Sequence, residues 1–223
     1  MQILLRHMVA SALLCVSTAV WAAPDPVSFF RAVSIDNAGG VRKMLYEGMN
    51  PNLPDQQRGD IALVIALRDD ADKVFKVLLE TPGIDLEARS ANGNTALMMA
   101  AYKHKREAVD ALLAKGAKVN QSGWTALHYA ASAGDLPIMQ LFLARGAKVD
   151  AYAPTNITPL MFAAREGQEE AVKLLLASGA DAALKSSHGW TAAQFALAAD
   201  KPGVAAIIDK FQQERSQERS RRN

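Results

Sequence analysis

The feature that most restricts what this chain can fold into is that it repeats itself. TALMMAA from Thr95, TALHYAA from Thr125, TPLMFAA from Thr158 and TAAQFAL from Thr191 recur at intervals of 30, 33 and 33 residues. IALVIAL from Ile61, 34 residues ahead of Thr95, is a fifth copy without the threonine. A weaker sixth begins near Val27, where SFFRAVSIDNAGGVRKMLYEGMNPN aligns with the later copies. A unit of this length cannot bury its own apolar helices, so the copies have to stack and the end copies have to hide their outer faces.

Each unit reads as a turn and two short helices. In GWTALHYAASAGD, Gly123 permits a turn with positive φ and Thr125 caps a helix. Ala126, Leu127, Ala130 and Ala131 then give that helix a narrow face. A second helix shows apolar residues three and four apart, as in Val109, Leu112 and Leu113 or Val172, Leu175 and Leu176. Gly48, Gly116, Gly146 and Gly179 fall where that helix needs a left-handed C-terminal residue. In the second copy Pro82 takes the glycine position and Gly83 comes one residue late, which predicts a longer turn. The interval of 30 lacks three residues while the helical patterns on both sides are complete, which predicts a stunted turn around Asn120 to Gly123.

The period and the T-x-L-H-x-A core resemble the ankyrin-repeat family, from about Val27 to Phe211. The resemblance implies an all-α solenoid of about six helix-turn-helix repeats joined by β-turn fingers. The repeats start near residues 27, 61, 95, 125, 158 and 191, within a domain over 23–211 and ahead of a polar basic tail at 212–223. The ends depart from the pattern as capping repeats should. Val27 replaces the threonine near Arg31, Arg42 and Lys43, and the last repeat carries Ala193 and Gln194 before Lys210.

Met1 to His7 carries Arg6 ahead of an apolar run from Met8 to Val20, with Ala22 and Ala23 following. That is the layout of a secretory signal peptide over residues 1–22, cleaved after Ala22. The run falls short of the roughly 20 apolar residues a spanning helix needs, so no stable membrane anchor is expected in the mature chain. Cys15, the single cysteine, lies in this leader, which leaves the mature chain without a thiol. The chain is similar to the small exported ankyrin proteins of Gram-negative bacteria, and this implies a periplasmic location. Loss of the leader brings the net charge of +2 closer to zero, and the basic end QQERSQERSRRN has no aromatics for base stacking, so no nucleic acid is expected. That end is expected to be a frayed, solvated tail.

SGWTALHYAASAGD, Ser122 to Asp135, gathers serines, a histidine and an aspartate, so a hydrolase using His128 is the reading the scaffold competes with. Ser132 lies one turn past His128, but Asp135 falls in the turn beyond and no glycine-rich oxyanion loop flanks either serine. In the family, the histidine of T-x-L-H hydrogen-bonds the turn and the capping threonine, and His128 alone matches it here. His104, His128 and His188 sit in three different repeats with no paired spacing, and there is no HExxH or phosphate-binding glycine loop. No catalytic, metal or cofactor residue is assigned.

Residues that vary between repeats at the finger bases and first-helix ends are the expected partner site, on a concave wall and its row of fingers. They are Arg58, Asp60, Arg68, Asn94, Tyr102, Lys103, Trp124, Arg165, Glu166 and Trp190. The column Ile65, Met99, Tyr129, Phe162 and Phe195 is apolar each time and is expected to be core. Asp60 and Asn94 share a column with Trp124 and Trp190, which marks that column as one that tolerates water. The function implied is recognition of another protein. It is either support of a periplasmic enzyme in stress defence or neutralisation of an enzyme or toxin as an inhibitor or immunity protein.

Overall fold

The computed structural model describes residues 24–222, so the expected signal peptide and Cys15 lie outside the described residues. Helices come in six pairs: α1 Pro26–Ser34 with α2 Ala38–Tyr46, α3 Ala62–Arg68 with α4 Asp72–Leu79, and α5 Ala96–Tyr102 with α6 Arg106–Ala114. They continue with α7 Ala126–Ala133 and α8 Leu136–Ala144, α9 Pro159–Glu166 and α10 Glu169–Ala177, and α11 Ala192–Ala198 and α12 Pro202–Arg222. The first helix of each pair packs on the first helices of its neighbours, α1 through α11 in order, and each second helix packs on its own first helix. This is the all-α ankyrin solenoid that the period implies.

Alanine makes the first-helix row possible. Ala66, Ala100, Ala101, Ala130, Ala131, Ala163, Ala164 and Ala196 are fully buried, and side chains of one carbon let successive helices approach closely. The second row supplies the bulk, with Val109, Leu112, Ile138, Phe142, Val172, Leu175 and Ile208 fully buried. Each such side chain contributes about 1.5–3 kcal/mol of burial. Thr95, Thr158 and Thr191 cap α5, α9 and α11, their hydroxyls accepting from Met98, Met161 and Gln194 N–H at 3.5, 3.3 and 3.4 Å. Gly48, Gly116, Gly146 and Gly179 follow the second helices with φ of 98°, 95°, 78° and 94°. In the second repeat the Thr81 hydroxyl instead donates to Val77 O at 2.8 Å, and Gly83 turns at φ 77°.

Two ends differ from expectation. Repeat one has a cap after all: Asp25 accepts from Val27 and Ser28 N–H at 3.2 and 2.9 Å, with Pro26 opening α1. The tail is helical rather than frayed, because α12 runs on to Arg222. Lys210 pairs with Glu214 at 3.9 Å and Arg215 lies over the Phe211 ring at 5.6 Å, contacts between neighbouring turns that favour helix.

The three missing residues come out of the third finger, since α6 and α7 keep full length. Four other fingers close with a backbone bond of 2.9 Å: Asp55 N–H to Asp60 O, Ser90 to Asn94, Ala153 to Ile157 and Ser186 to Trp190. The finger ahead of Thr125 has no such bond from Asn120 to Trp124 among the described residues. The preceding finger reaches across to hold it instead. Arg89 donates to Gly93 O at 2.9 Å, Gln121 Oε1 at 2.6 Å and Ser122 O at 3.2 Å, while Glu87 accepts from Lys118 N–H at 2.8 Å and from the Gln121 amide.

Candidate protein-binding face

Trp124, at the base of the shortened finger, packs on the first-helix row, where it meets aromatic residues from two repeats. Its ring centroid lies 5.3 Å from His128, 6.1 Å from Tyr129 and 5.1 Å from Phe162. Tyr129 meets Tyr102 edge-on at 6.2 Å and Phe162 at 6.4 Å. Arg165 lies over the outer face of Phe162 at 4.4 Å and is held there by Glu166, whose carboxylate accepts from its Nε and Nη2 at 3.0 and 2.9 Å. Tyr102 is exposed, and Trp124, Tyr129 and Phe162 are half-buried. Four of the expected partner residues, Tyr102, Trp124, Arg165 and Glu166, are therefore brought together on one wall.

The others are distributed. Trp190 stands at the C-terminal end, 43% exposed, on Phe195 at 5.4 Å. Arg58 and Arg68 stand at the N-terminal end. Lys103 bonds Asp70 of the preceding repeat at 2.9 Å and holds that exposed carboxyl below the usual carboxylate range, with Lys105 adding a second bond. Asp60 and Asn94 are only 7% exposed, so the two polar members of that column are buried rather than solvated as expected. The Asp60 carboxylate accepts from Arg68, and the Asn94 carbonyl from the Tyr129 hydroxyl. Asn94 thus supports the wall from below, and Asp60 holds Arg68 at the N-terminal end.

Sequence reasoning also assigned Tyr129 and Phe162 wholly to the core, whereas they form half of the aromatic surface. An apolar column with one polar-tipped member, Tyr129, was the available signal. Burial of the Tyr129 hydroxyl pushes its pKa up, against the bond to Asn94.

His128 is fully buried and structural. Its Nδ1 accepts from Thr125 N–H at 3.2 Å and lies 2.9 Å from the Thr125 hydroxyl. Nε2, 3.1 Å from Ile157 O, therefore carries the proton and donates to the next finger. Burial lowers its pKa from 6.5 to about 4, against a bond to Ile157 O that works the other way. A ring with both nitrogens committed has neither a lone pair nor a proton to lend a substrate. Among the described residues no cluster of His, Cys, Asp or Glu is placed to hold a metal.

Stacked helix pairs of this kind define a repeat scaffold for protein–protein interaction. The chain belongs to the ankyrin-repeat family: residues 29–122, 73–153 and 127–215 match the family described as "Ankyrin repeats (3 copies)". It is 34% identical over 160 residues to human "Transient receptor potential cation channel subfamily A member 1", a match covering 67% of this chain and 14% of that protein. It is 31% identical over 189 residues to "Protein glp-1" of Caenorhabditis elegans, covering 77% and 14%, and 32% identical over 158 residues to mouse "B-cell lymphoma 3 protein homolog", covering 68% and 35%. The fold is similar to the crystal structure of the ankyrin repeat domain of Bcl-3, with a TM-score of 0.62 and 30% identity over 79% of this chain and 80% of that one. The chain thus spans about a third or less of the length of these curated relatives.

These matches correct the expected setting. The relatives are human, mouse and nematode proteins, so the reading as a small exported bacterial protein with a cleaved signal, placed in the periplasm, is withdrawn. The physical reason is that the repeat pattern encodes how helices stack, and stacking is indifferent to host and compartment. Among the described residues no helix is long and apolar enough to cross a membrane.

Proposed function

We propose that the chain holds a partner protein on the wall formed by Tyr102, Trp124, Tyr129 and Phe162, with Arg165 and Glu166 setting the partner's orientation. One observation carries this reading: aromatic side chains from three consecutive repeats pack ring against ring while staying partly open to solvent. Tyrosine, tryptophan and arginine are the residue types that dominate binding energy at protein interfaces. Lys103, Trp190, Arg58 and Arg68 extend the surface, and Asp60 and Asn94 fix it from below. The partner is an enzyme that the scaffold supports in stress defence, or an enzyme or toxin that it neutralises. The two differ in whether the captured partner's activity rises or falls when the chain is added.

The test compares Tyr102→Ala with Arg165→Ala in one variant against Lys173→Ala on α10. The double variant is expected to lose about 2 kcal/mol or more of affinity for a partner captured on the full chain, with its melting temperature close to that of the wild type. Lys173→Ala is expected to bind as wild type. Trp124 is a poorer first probe because it packs on His128 and Phe162, so its removal lowers stability as well. Equal binding by the double variant and the wild type, both folded, would remove the wall from consideration.

A further inference from the structure

At the N-terminal end of the stack a cavity of about 490 Å³ opens between α1, the first finger and α3. Val27, Phe30 and Ile65 give it an apolar side, and Arg31, Arg58 and Arg68 a cationic one. Its two acids, Asp55 and Asp69, already accept hydrogen bonds from the protein. Asp69 accepts from Arg68 Nε at 2.9 Å, and Asp55 accepts from the backbone N–H groups of Arg58 and Asp60 at 3.0 and 2.8 Å. Arg68 is in turn held by Asp60 and Asp69. Among the described residues neither Arg31 nor Arg58 stands in an ion pair, and both are exposed.

Two uncommitted guanidinium groups beside an apolar surface match a carboxylate that neighbours an apolar side chain. The planar fork binds carboxylates in two parallel bonds, and the volume is that of a small binding site. We infer that this cavity takes an acidic segment of a partner protein. Its Asp or Glu carboxylates lie on Arg31 and Arg58, and an apolar side chain lies against Val27, Phe30 and Ile65. The inference rests on the protein-binding reading above and names the chemistry of the partner at one end of the stack. The residues ahead of Pro24 contain no aspartate or glutamate, so they offer this pair no carboxylate.

The probe is a capped hexapeptide of alternating glutamate and leucine, titrated into the full chain and followed by NMR at backbone amides and arginine Nε–H groups. Saturable shifts are expected at Arg31, Arg58 and Phe30. They should weaken about tenfold or more in Arg31→Gln with Arg58→Gln. They should also fade in about 1 M salt, where charges are screened beyond ~3 Å. A peptide with glutamine in place of glutamate is expected to give none. Equal binding of the glutamine peptide, undiminished binding to the double variant, or shifts spread over cations elsewhere such as Lys43 and Lys173 would each overturn the inference. Tyr102→Ala with Arg165→Ala should leave the peptide titration unchanged. If the peptide fails to bind while the captured partner still needs Tyr102 and Arg165, the cavity falls and the aromatic wall stands.

Discussion

Lowering the pH from 7 to 5 should destabilise this protein through one buried ring. His128 is neutral in the fold with a pKa of about 4, against 6.5 when exposed. A histidine depressed in the folded state adds stability that is complete above 6.5 and drains away as the pH falls towards 4, because the unfolded chain takes up the proton first. From these two values the loss is about 2 kcal/mol by pH 5 and about 3 kcal/mol by pH 4. The assay is urea denaturation of wild type and His128→Leu at pH 7 and pH 5, followed by helical circular dichroism. At pH 7 the variant is less stable by about 2 kcal/mol, since Ile157 O and Thr125 N–H lose a buried partner. Between pH 7 and pH 5 the wild type should lose about 2 kcal/mol more than the variant. His104 and His188 are exposed in both chains and cancel in the difference. Equal losses in the two chains would refute the assignment of His128 as a neutral, buried capping residue.

The third finger depends on Arg89, which makes three bonds to it and to its own turn, so Arg89→Ala should lower stability by about 1–2 kcal/mol in the same assay. An unchanged midpoint would mean that the short finger holds itself. Asp150→Asn should raise stability, because burial and the nearby Asp181 push its carboxyl pKa up while it accepts only the Asp181 N–H, at 3.1 Å. A lowered midpoint in that variant would show the carboxylate to be required.

Much of the fold could be read from the sequence because ankyrin caps are local. Thr95, Thr158 and Thr191 bond a backbone amide three residues on, and the left-handed glycines follow their helices at a fixed offset. His128 was legible for the same reason, its threonine lying three residues away. What escaped depends on partners from the next repeat, which no local pattern reveals. Asn94 is buried because Tyr129 is 35 residues distant in sequence, and Arg89 replaces a finger bond from 32 residues away. Phe162 escaped for a different reason. The period places a side chain on a face, but depth depends on what its neighbours leave uncovered, and Met99, Tyr129, Phe162 and Phe195 are all left half-buried.

One set of residues that joins the repeats lies outside the wall. Asn52 donates to Gly83 O at 2.8 Å and accepts from Asp85 N–H at 2.9 Å. Asn120 repeats this on Gly146 O and Lys148 N–H at 2.7 and 2.9 Å. An amide side chain both donates and accepts, so it satisfies the turn after the next second helix with two bonds. Glu87 and Asp150 occupy the corresponding place but only accept, and they take Lys118 and Asp181 N–H. These latches sit on the turns between second helices and fingers rather than on the first helices that carry Tyr102 and Arg165. Substitutions of Tyr102 and Arg165 therefore leave these latches in place, whereas Trp124 and Tyr129 also hold neighbouring repeats together. In a solenoid whose stability is a sum of neighbour contacts, the outer positions of the wall are the ones free to vary while the stack stays folded.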